Sequence, residues 1–245
     1  MSDPVASPPV VSIVVPVFNE EGAAAPLARE IAAAFRDVDY EMIFVDDASR
    51  DQTVETLRAV GAQLPRLRVI RHGINAGQSR AVRTGVMAAR APIIVTLDGD
   101  GQNNPLDAPR LMRRLMAGPP ALALVGGRRR KRRDSVAKKL ASSLGNGLRK
   151  WLLNDQAEDT GCGLKAFRRD VFLRLPYFDH LHRYLPALVL REGFQIAFED
   201  VSHRSRMTGA SKYSNLGRAL VSVSDLVGVL WLRSRARSPG DLLEG

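Results

Sequence analysis

Five short runs of continuous apolar residues, each cut off by a polar or acidic cluster, set the strongest limit on how this chain can fold. They are VSIVVPVF (11–18), EMIFVDD (41–47), LRVIR (67–71), PIIVTLD (92–98) and ALALVGG (121–127). None alternates apolar with polar, as a strand with one wet face would. Continuous runs of this length belong to parallel strands covered on both faces. Helical patterns separate them, over about 24–36, 51–60, 78–90 and 106–117. Ser49 stands where an N-cap of the second helix is expected, and Asp51 favours its first turn. The order predicts an α/β, doubly wound, mostly parallel sheet. Ligands of such sheets bind beyond the carboxyl ends of the strands.

Those ends carry the polar chemistry. The first run leads into PVFNEEG, the second into VDDAS, the fourth into LDGDGQ and the fifth into GGRRR. A dinucleotide-binding chain would place G-x-G-x-x-G after its first strand. Here Pro16, Phe18, Asn19 and Glu20 fill that slot, with Gly22 beyond, which argues against a nicotinamide enzyme. Asp98 and Asp100 would face opposite sides of a regular strand, and Gly99 between them is expected to turn the chain sharply. Two carboxylates brought close repel unless a cation sits with them. Mg²⁺ or Mn²⁺ suits such oxygen donors and leaves room for substrate phosphates, and Gln102 offers a further neutral oxygen. A polar D-G turn leading to a helix cap at Asn103 or Asn104 is the plainer reading of the same residues. Of Asp46 and Asp47, one faces the crevice and the other caps or orients the turn. Glu20 can accept hydrogen bonds from a base or a sugar hydroxyl, with helix capping as its ordinary role.

Charge is unevenly distributed. Of a net +10, residues 1–127 carry −1, residues 128–150 carry +9 and residues 151–245 carry +2. A localised basic block points to an anionic surface or partner. The block leads into a helical pattern over 135–153, with Val136, Leu140, Leu144, Leu148 and Trp151 on one stripe. Lys138, Ser142 and Asn146 lie on roughly the opposite face. Two readings fit that helix equally: a core helix with a solvated face, or a basic amphipathic helix at a membrane surface. The tail over 215–233 is amphipathic at first, then apolar, and Arg218 and Asp225 interrupt it. That pattern predicts an interfacial or partner-bound helix rather than a spanning one.

The remaining segments read as a Gly-containing loop, a short strand and a helix over 158–175, then a helix over 182–194 and a strand over 195–206. A flexible loop follows over 207–214, with Arg206 and Lys212 flanking MTGAS. Cations at the ends of a mobile loop suit a diphosphate that arrives and leaves. The single cysteine, Cys162, excludes a disulfide framework and reads as a small buried residue. Residues 1–9 show no basic or apolar signal pattern and read as a disordered lead-in; 10–214 then form the domain and 215–245 a helix with a flexible end.

Taken together, VSIVVPVFNEEG, IFVDDASRDQT, LDGDGQNNP, GGRRR, DTGCGLKAFRR and RMTGASKYS resemble the family-2 glycosyltransferases of the GT-A fold. The closer likeness is to the polyprenyl-phosphate branch typified by dolichol-phosphate mannose synthase. The resemblance implies nucleotide-sugar contacts on Pro16, Phe18, Glu20, Val45, Asp47, Asp98, Gly99, Asp100, Arg206 and Lys212. It implies metal ligation by Asp98, Asp100 and Gln102, with Mg²⁺ or Mn²⁺ as cofactor. Arg206 and Lys212 would clamp the diphosphate, acting with Asp98 and Asp100 in catalysis, and Arg128, Lys138 and Ser142 would hold the acceptor phosphate. Phe18 stands where the family often has tyrosine, and Lys138 where the branch often has arginine, so a bidentate grip becomes a point charge.

The implied activity is inverting, metal-dependent transfer of one sugar from a GDP- or UDP-sugar to undecaprenyl or dolichyl phosphate. The enzyme would sit peripherally on the cytoplasmic face of the cell membrane, with a membrane-anchored partner protein as one means of attachment. A family-2 transferase acting on a glycan acceptor in cell-envelope polysaccharide synthesis is the nearer alternative; it would want a positioned base, for which Asp159 is the candidate. A nucleic-acid-binding protein would leave the acidic strand ends without a purpose and has few aromatics, 6%, for base stacking. A catalytically inactive partner subunit is the third alternative.

Overall fold

The computed structural model describes residues 7–129, 153, 159, 161–204 and 215–237, with side chains of the last segment described from residue 223 onward. The expected helix over 135–153, with Lys138 and Ser142, and the loop carrying Arg206 and Lys212 lie outside the described residues.

The strands are β1 (Val11–Val17), β2 (Tyr40–Asp46), β3 (Leu67–Arg71), β4 (Ile93–Thr96), β5 (Leu122–Arg129), β6 (Lys165–Arg168) and β7 (Gln195–Val201). They form one sheet in the order β3-β2-β1-β4-β6-β5-β7. Pairing is parallel except at β6, which runs antiparallel to both β4 and β5. The carboxyl ends of β1, β2, β4 and β5 therefore share one edge. β6 enters that edge with its first residue, Lys165, opposite Thr96 and Gly126.

Successive β1 residues alternate between two apolar layers, as the period of a strand requires. Ile13 and Val15 face the layer of α1 (Glu21–Ala34), α2 (Thr53–Gly61) and α4 (Ala108–Ala117). Val14 faces the layer of α3 (Gln78–Ala88), α5 (Arg169–Arg174), α6 (Leu181–Arg191) and α7 (Asn215–Ser234). Burial on both sides explains why the runs of β1, β2, β4 and β5 are continuous rather than alternating, while the edge strand β3 is only half-buried. α4 shows the complementary pattern: Leu111, Met112 and Leu115 are buried, while Arg110 and Arg114 reach out to Glu199 of the edge strand β7.

The amino-terminal edge of the sheet is fastened by one buried acid. Glu41 accepts hydrogen bonds from Ser12 Oγ (2.7 Å), the Arg90 N–H (2.7 Å), Arg90 Nε (3.1 Å) and Arg68 (2.7 Å). Burial by itself would raise the Glu41 carboxyl, but these donors outweigh it and hold the group below its ordinary range.

The second helix is not capped by Ser49. The Ser49 hydroxyl instead accepts the Asn19 N–H at 2.8 Å, and Asp51 Oδ1 accepts the Thr53 N–H at 3.1 Å. The competing demand came from the neighbouring loop. Asn19 (φ 52) and Ala48 (φ 63) both adopt left-handed backbone, and the two strand-end loops interlock. Arg50 N donates to Asn19 Oδ1 at 2.8 Å and Glu20 N to Thr53 Oγ1 at 2.8 Å.

Candidate active site

The site grows from the end of β4. Asp98 is half-buried, its N–H donates to Asn103 Oδ1 at 2.9 Å, and its Oδ1 accepts Gln78 Nε2 at 2.8 Å. Burial raises the Asp98 carboxyl, the Asp100 charge raises it further, and Lys165, Gln78 and Arg129 pull the other way. Gly99 does not turn the chain by left-handed backbone; Gly101 does, at φ 73. Gly99 is needed for space, because a Cβ there would lie 2.6 Å from both the Pro16 carbonyl oxygen and Val17 Cγ1. The turn thus lies directly on the end of β1. The expected cap also forms: Asn104 Oδ1 accepts the Leu106 N–H at 3.2 Å at the start of a short 3-10 turn, Pro105–Asp107.

Gln102 is fixed by its main chain. Its N–H donates to Asp100 Oδ1 at 3.1 Å, and its carbonyl accepts the Arg204 N–H at 3.0 Å. Ser202 bonds Asp107 Oδ2 through its N–H (2.8 Å) and its hydroxyl (2.7 Å), and Arg204 bonds Glu30 (2.6 Å). The segment leading toward Arg206 is therefore pinned to the D-G-D-G-Q turn.

The two adjacent acids at the end of β2 turn to opposite layers, and both are buried. Asp46 is fully buried and orients its turn, with Oδ2 accepting the Ser49 N–H at 3.1 Å and lying 3.4 Å from Arg71 Nε. Asp47 faces the other layer, where Oδ1 accepts the Ala76 N–H (2.9 Å) and Oδ2 the Gly77 N–H (2.8 Å), while His72 Nδ1 lies 2.7 Å from Oδ1. That carboxylate anchors the β3–α3 loop at the same edge. Phe18 and Glu20 are half-buried beyond β1, whereas Val45 is wholly buried and packs in the core.

β5 and β6 supply residues that the sequence reading left without a role. Lys165 is 4% exposed, its ammonium donates to the Cys162 carbonyl, and burial pushes it down while Cys162, Asp98 and Asp159 push it up. Arg129 grips Asp159 bidentately through Nε (2.5 Å) and a terminal nitrogen (2.6 Å), which raises Arg129. Arg128 points to the other side of β5, with Nε 2.7 Å from Asp200 Oδ1 on β7. His182, at the start of α6, lines a small cavity with Pro16, Gln78, Thr96, Asp98 and Lys165. Burial holds His182 well below its ordinary value, helped by Lys165, Arg183 and His180, so it is neutral. The sequence signal for Lys165 was available: a lysine inside the apolar strand GLKAF requires buried partners.

Two carboxylates at one turn, one raised by burial and by the other's charge, make a donor set that a hard divalent cation would relieve. Among the described residues no cluster of three His, Cys, Asp or Glu converges, so the remaining ligands would come from substrate oxygens, water or an amide.

The model of Glycosyl transferase family 2 matches residues 12–175. A dodecaprenyl-phosphate galacturonate synthase of Rhizobium johnstonii is 34% identical over 98% of this chain and 71% of its own length. Undecaprenyl-phosphate 4-deoxy-4-formamido-L-arabinose transferases of Aeromonas hydrophila and Shewanella sediminis are 33% and 36% identical, each over 83% of this chain. The chain spans 63% and 61% of those two relatives. Among solved structures, glucosyl-3-phosphoglycerate synthase of Mycobacterium tuberculosis with Mn²⁺ and UDP superposes with a TM-score of 0.70, covering 96% of this chain and 83% of that one. At 20% identity that likeness shows the fold, GT-A.

Proposed function

This chain belongs to glycosyl transferase family 2, and on that premise we propose that it transfers one sugar from a nucleoside-diphosphate sugar to a polyprenyl phosphate. The observation that carries the proposal is a shared edge: the Asp98–Asp100 turn and the exit of β5 into the +9 segment lie together at the carboxyl ends of the strands. The relatives' names, which pair a polyprenyl phosphate with a sugar, support the same reading.

In this reading Asp98 and Asp100, with Gln102, hold Mg²⁺ or Mn²⁺ against the donor diphosphate. When bound, the cation offsets negative charge on the leaving diphosphate. Pro16, Phe18, Glu20 and Asp47 frame the nucleotide, and Arg206 and Lys212 bind its phosphates. Lys138 and Ser142 receive the acceptor phosphate; Arg128, which the resemblance adds to them, points to the other side of β5 and pairs with Asp200. A phosphate monoester is mostly dianionic at neutral pH, its second pKa being about 6. Its oxygen can therefore bond to the anomeric carbon as the bond from that carbon to the diphosphate oxygen breaks, with inversion and without a protein base. Asp159, the base a glycan acceptor would want, is bound bidentately to Arg129, which favours the phosphate acceptor.

Attachment to the cytoplasmic membrane face is proposed as peripheral. Among the described residues no helix is long and apolar enough to cross a membrane. α7 turns Val229 inward, fully buried, and leaves Val223, Val227 and Trp231 outward at 61%, 61% and 59% exposure. That row of four-residue spacing, close to Arg233 and Arg235, suits an anionic lipid surface.

The test is a panel of UDP- and GDP-sugars with undecaprenyl phosphate and Mg²⁺ or Mn²⁺, read as lipid-linked monosaccharide. Absence of product with every donor, from folded protein presented with vesicles, overturns the proposal.

A further inference from the structure

We infer that Gln78 is a positioning residue for the cation site: its amide fixes the Asp98 carboxylate, and the Ser79–His182 hydrogen bond beside it holds that amide in place. The inference rests on the reading of Asp98 and Asp100 as cation ligands.

An ionised carboxylate only accepts hydrogen bonds, so the Gln78 amide must present its NH₂ to Asp98 Oδ1, at 2.8 Å, and turn its own oxygen away. The rest of Asp98 is held as well. Its main chain is bonded to Asn103, and Gly163 stands against the carboxyl group so closely that a Cβ there would lie 2.2 Å from Cγ. Among the described residues, the Gln78 amide selects between the two oxygens by bonding Oδ1.

Gln78 is the first residue of α3 and its side chain is exposed, so nothing in its own packing would keep the amide in one rotamer. The next residue does that work for the helix end. Ser79 is 1% exposed; its Oγ accepts the His182 N–H at 3.3 Å and lies 2.7 Å from His182 Nδ1. These two bonds tie the start of α3 to the start of α6. On the sheet side α3 is pressed onto β1, since a Cβ on Gly85 would lie 2.4 Å from Val14 Cγ1. The helix start is thus clamped between β1 and α6, with the Gln78 amide at its tip. Metal-binding carboxylates restrained by a second donor lose less freedom on binding, and removal of such donors weakens metal affinity.

The experiment is Gln78→Met, which keeps the length and removes the donor. Mn²⁺ binding is followed by the electron paramagnetic resonance of free Mn²⁺, with UDP and separately with GDP present, alongside thermal melting and turnover. The inference expects Mn²⁺ affinity to fall about tenfold, melting to stay at the wild-type temperature, and kcat at saturating Mn²⁺ to be little changed. Ser79→Ala is expected to weaken Mn²⁺ in the same direction by a smaller factor. Wild-type Mn²⁺ affinity in Gln78→Met overturns the inference and leaves the cation site standing. Folded wild-type protein that binds no Mn²⁺ with either nucleotide overturns the cation site, and this inference with it.

Discussion

Gly163, in the loop entering β6, and Asp98, at the end of β4, are packed so tightly that a methyl group on Gly163 would lie 2.3 Å from both carboxylate oxygens. Neighbouring Thr96 fixes the same loop by donating to the Gly163 carbonyl at 2.7 Å. Gly163→Ala is therefore expected to displace the Asp98 carboxylate. A displacement near 1 Å at a reacting centre costs about 100-fold in rate, to be read in kcat/KM on purified, folded protein.

Asp100 tests the cation site directly. Asp100→Ala removes one of two carboxylates and relieves its repulsion of Asp98. Lipid-linked product should fall by about 10³-fold. Chelation of the wild type with EDTA should abolish turnover, and added Mn²⁺ or Mg²⁺ should restore it.

Asp159→Asn separates a structural acid from a base. Arg129 and Asp159 have side chains only 11% and 12% exposed. Breaking a largely buried pair on one side leaves Arg129 unpaired and is expected to cost about 3 kcal/mol in urea unfolding. If no protein base is used, the residual activity should keep the shape of the wild-type pH profile.

Glu41 predicts acid sensitivity far from the site. Its folded carboxyl is held below the unfolded value, so its contribution is complete above the unfolded pKa and is lost as pH falls through the folded one. Glu41→Gln should lower stability by about 2 kcal/mol at pH 7. The difference between variant and wild type should shrink below pH 4, measured by urea unfolding across the range.

The α7 row predicts lipid binding. Val227→Asp places a charge in the exposed stripe without touching buried Val229. Sedimentation with phosphatidylglycerol vesicles should weaken about tenfold, and raised salt should weaken the wild type further through its basic segments.

The sequence by itself determined the layered α/β class and the edge at which to look. Both follow from local properties: continuous apolar runs need cover on two faces, and polar clusters at their ends cannot be buried without partners. The acids of that edge, Asp46, Asp47, Asp98 and Asp100, were legible for the same reason. Roles that depend on distant neighbours were not. Ser49 looked like a helix cap until Asn19, from another loop, took its hydroxyl. Gly99 lies in the expected turn, but its smallness answers to the Pro16 carbonyl on β1. Only the tertiary structure set β6 antiparallel between β4 and β5, which puts Lys165 and Gly163 beside Asp98, and only helix packing against β1 and α6 brought Gln78 to the same carboxylate. Spacing along a chain fixes which residues share a strand or a helix face. Which side chains meet across 20 to 103 residues, as Gln78 and Asp98 or Ser79 and His182 do, is decided by close packing of whole layers.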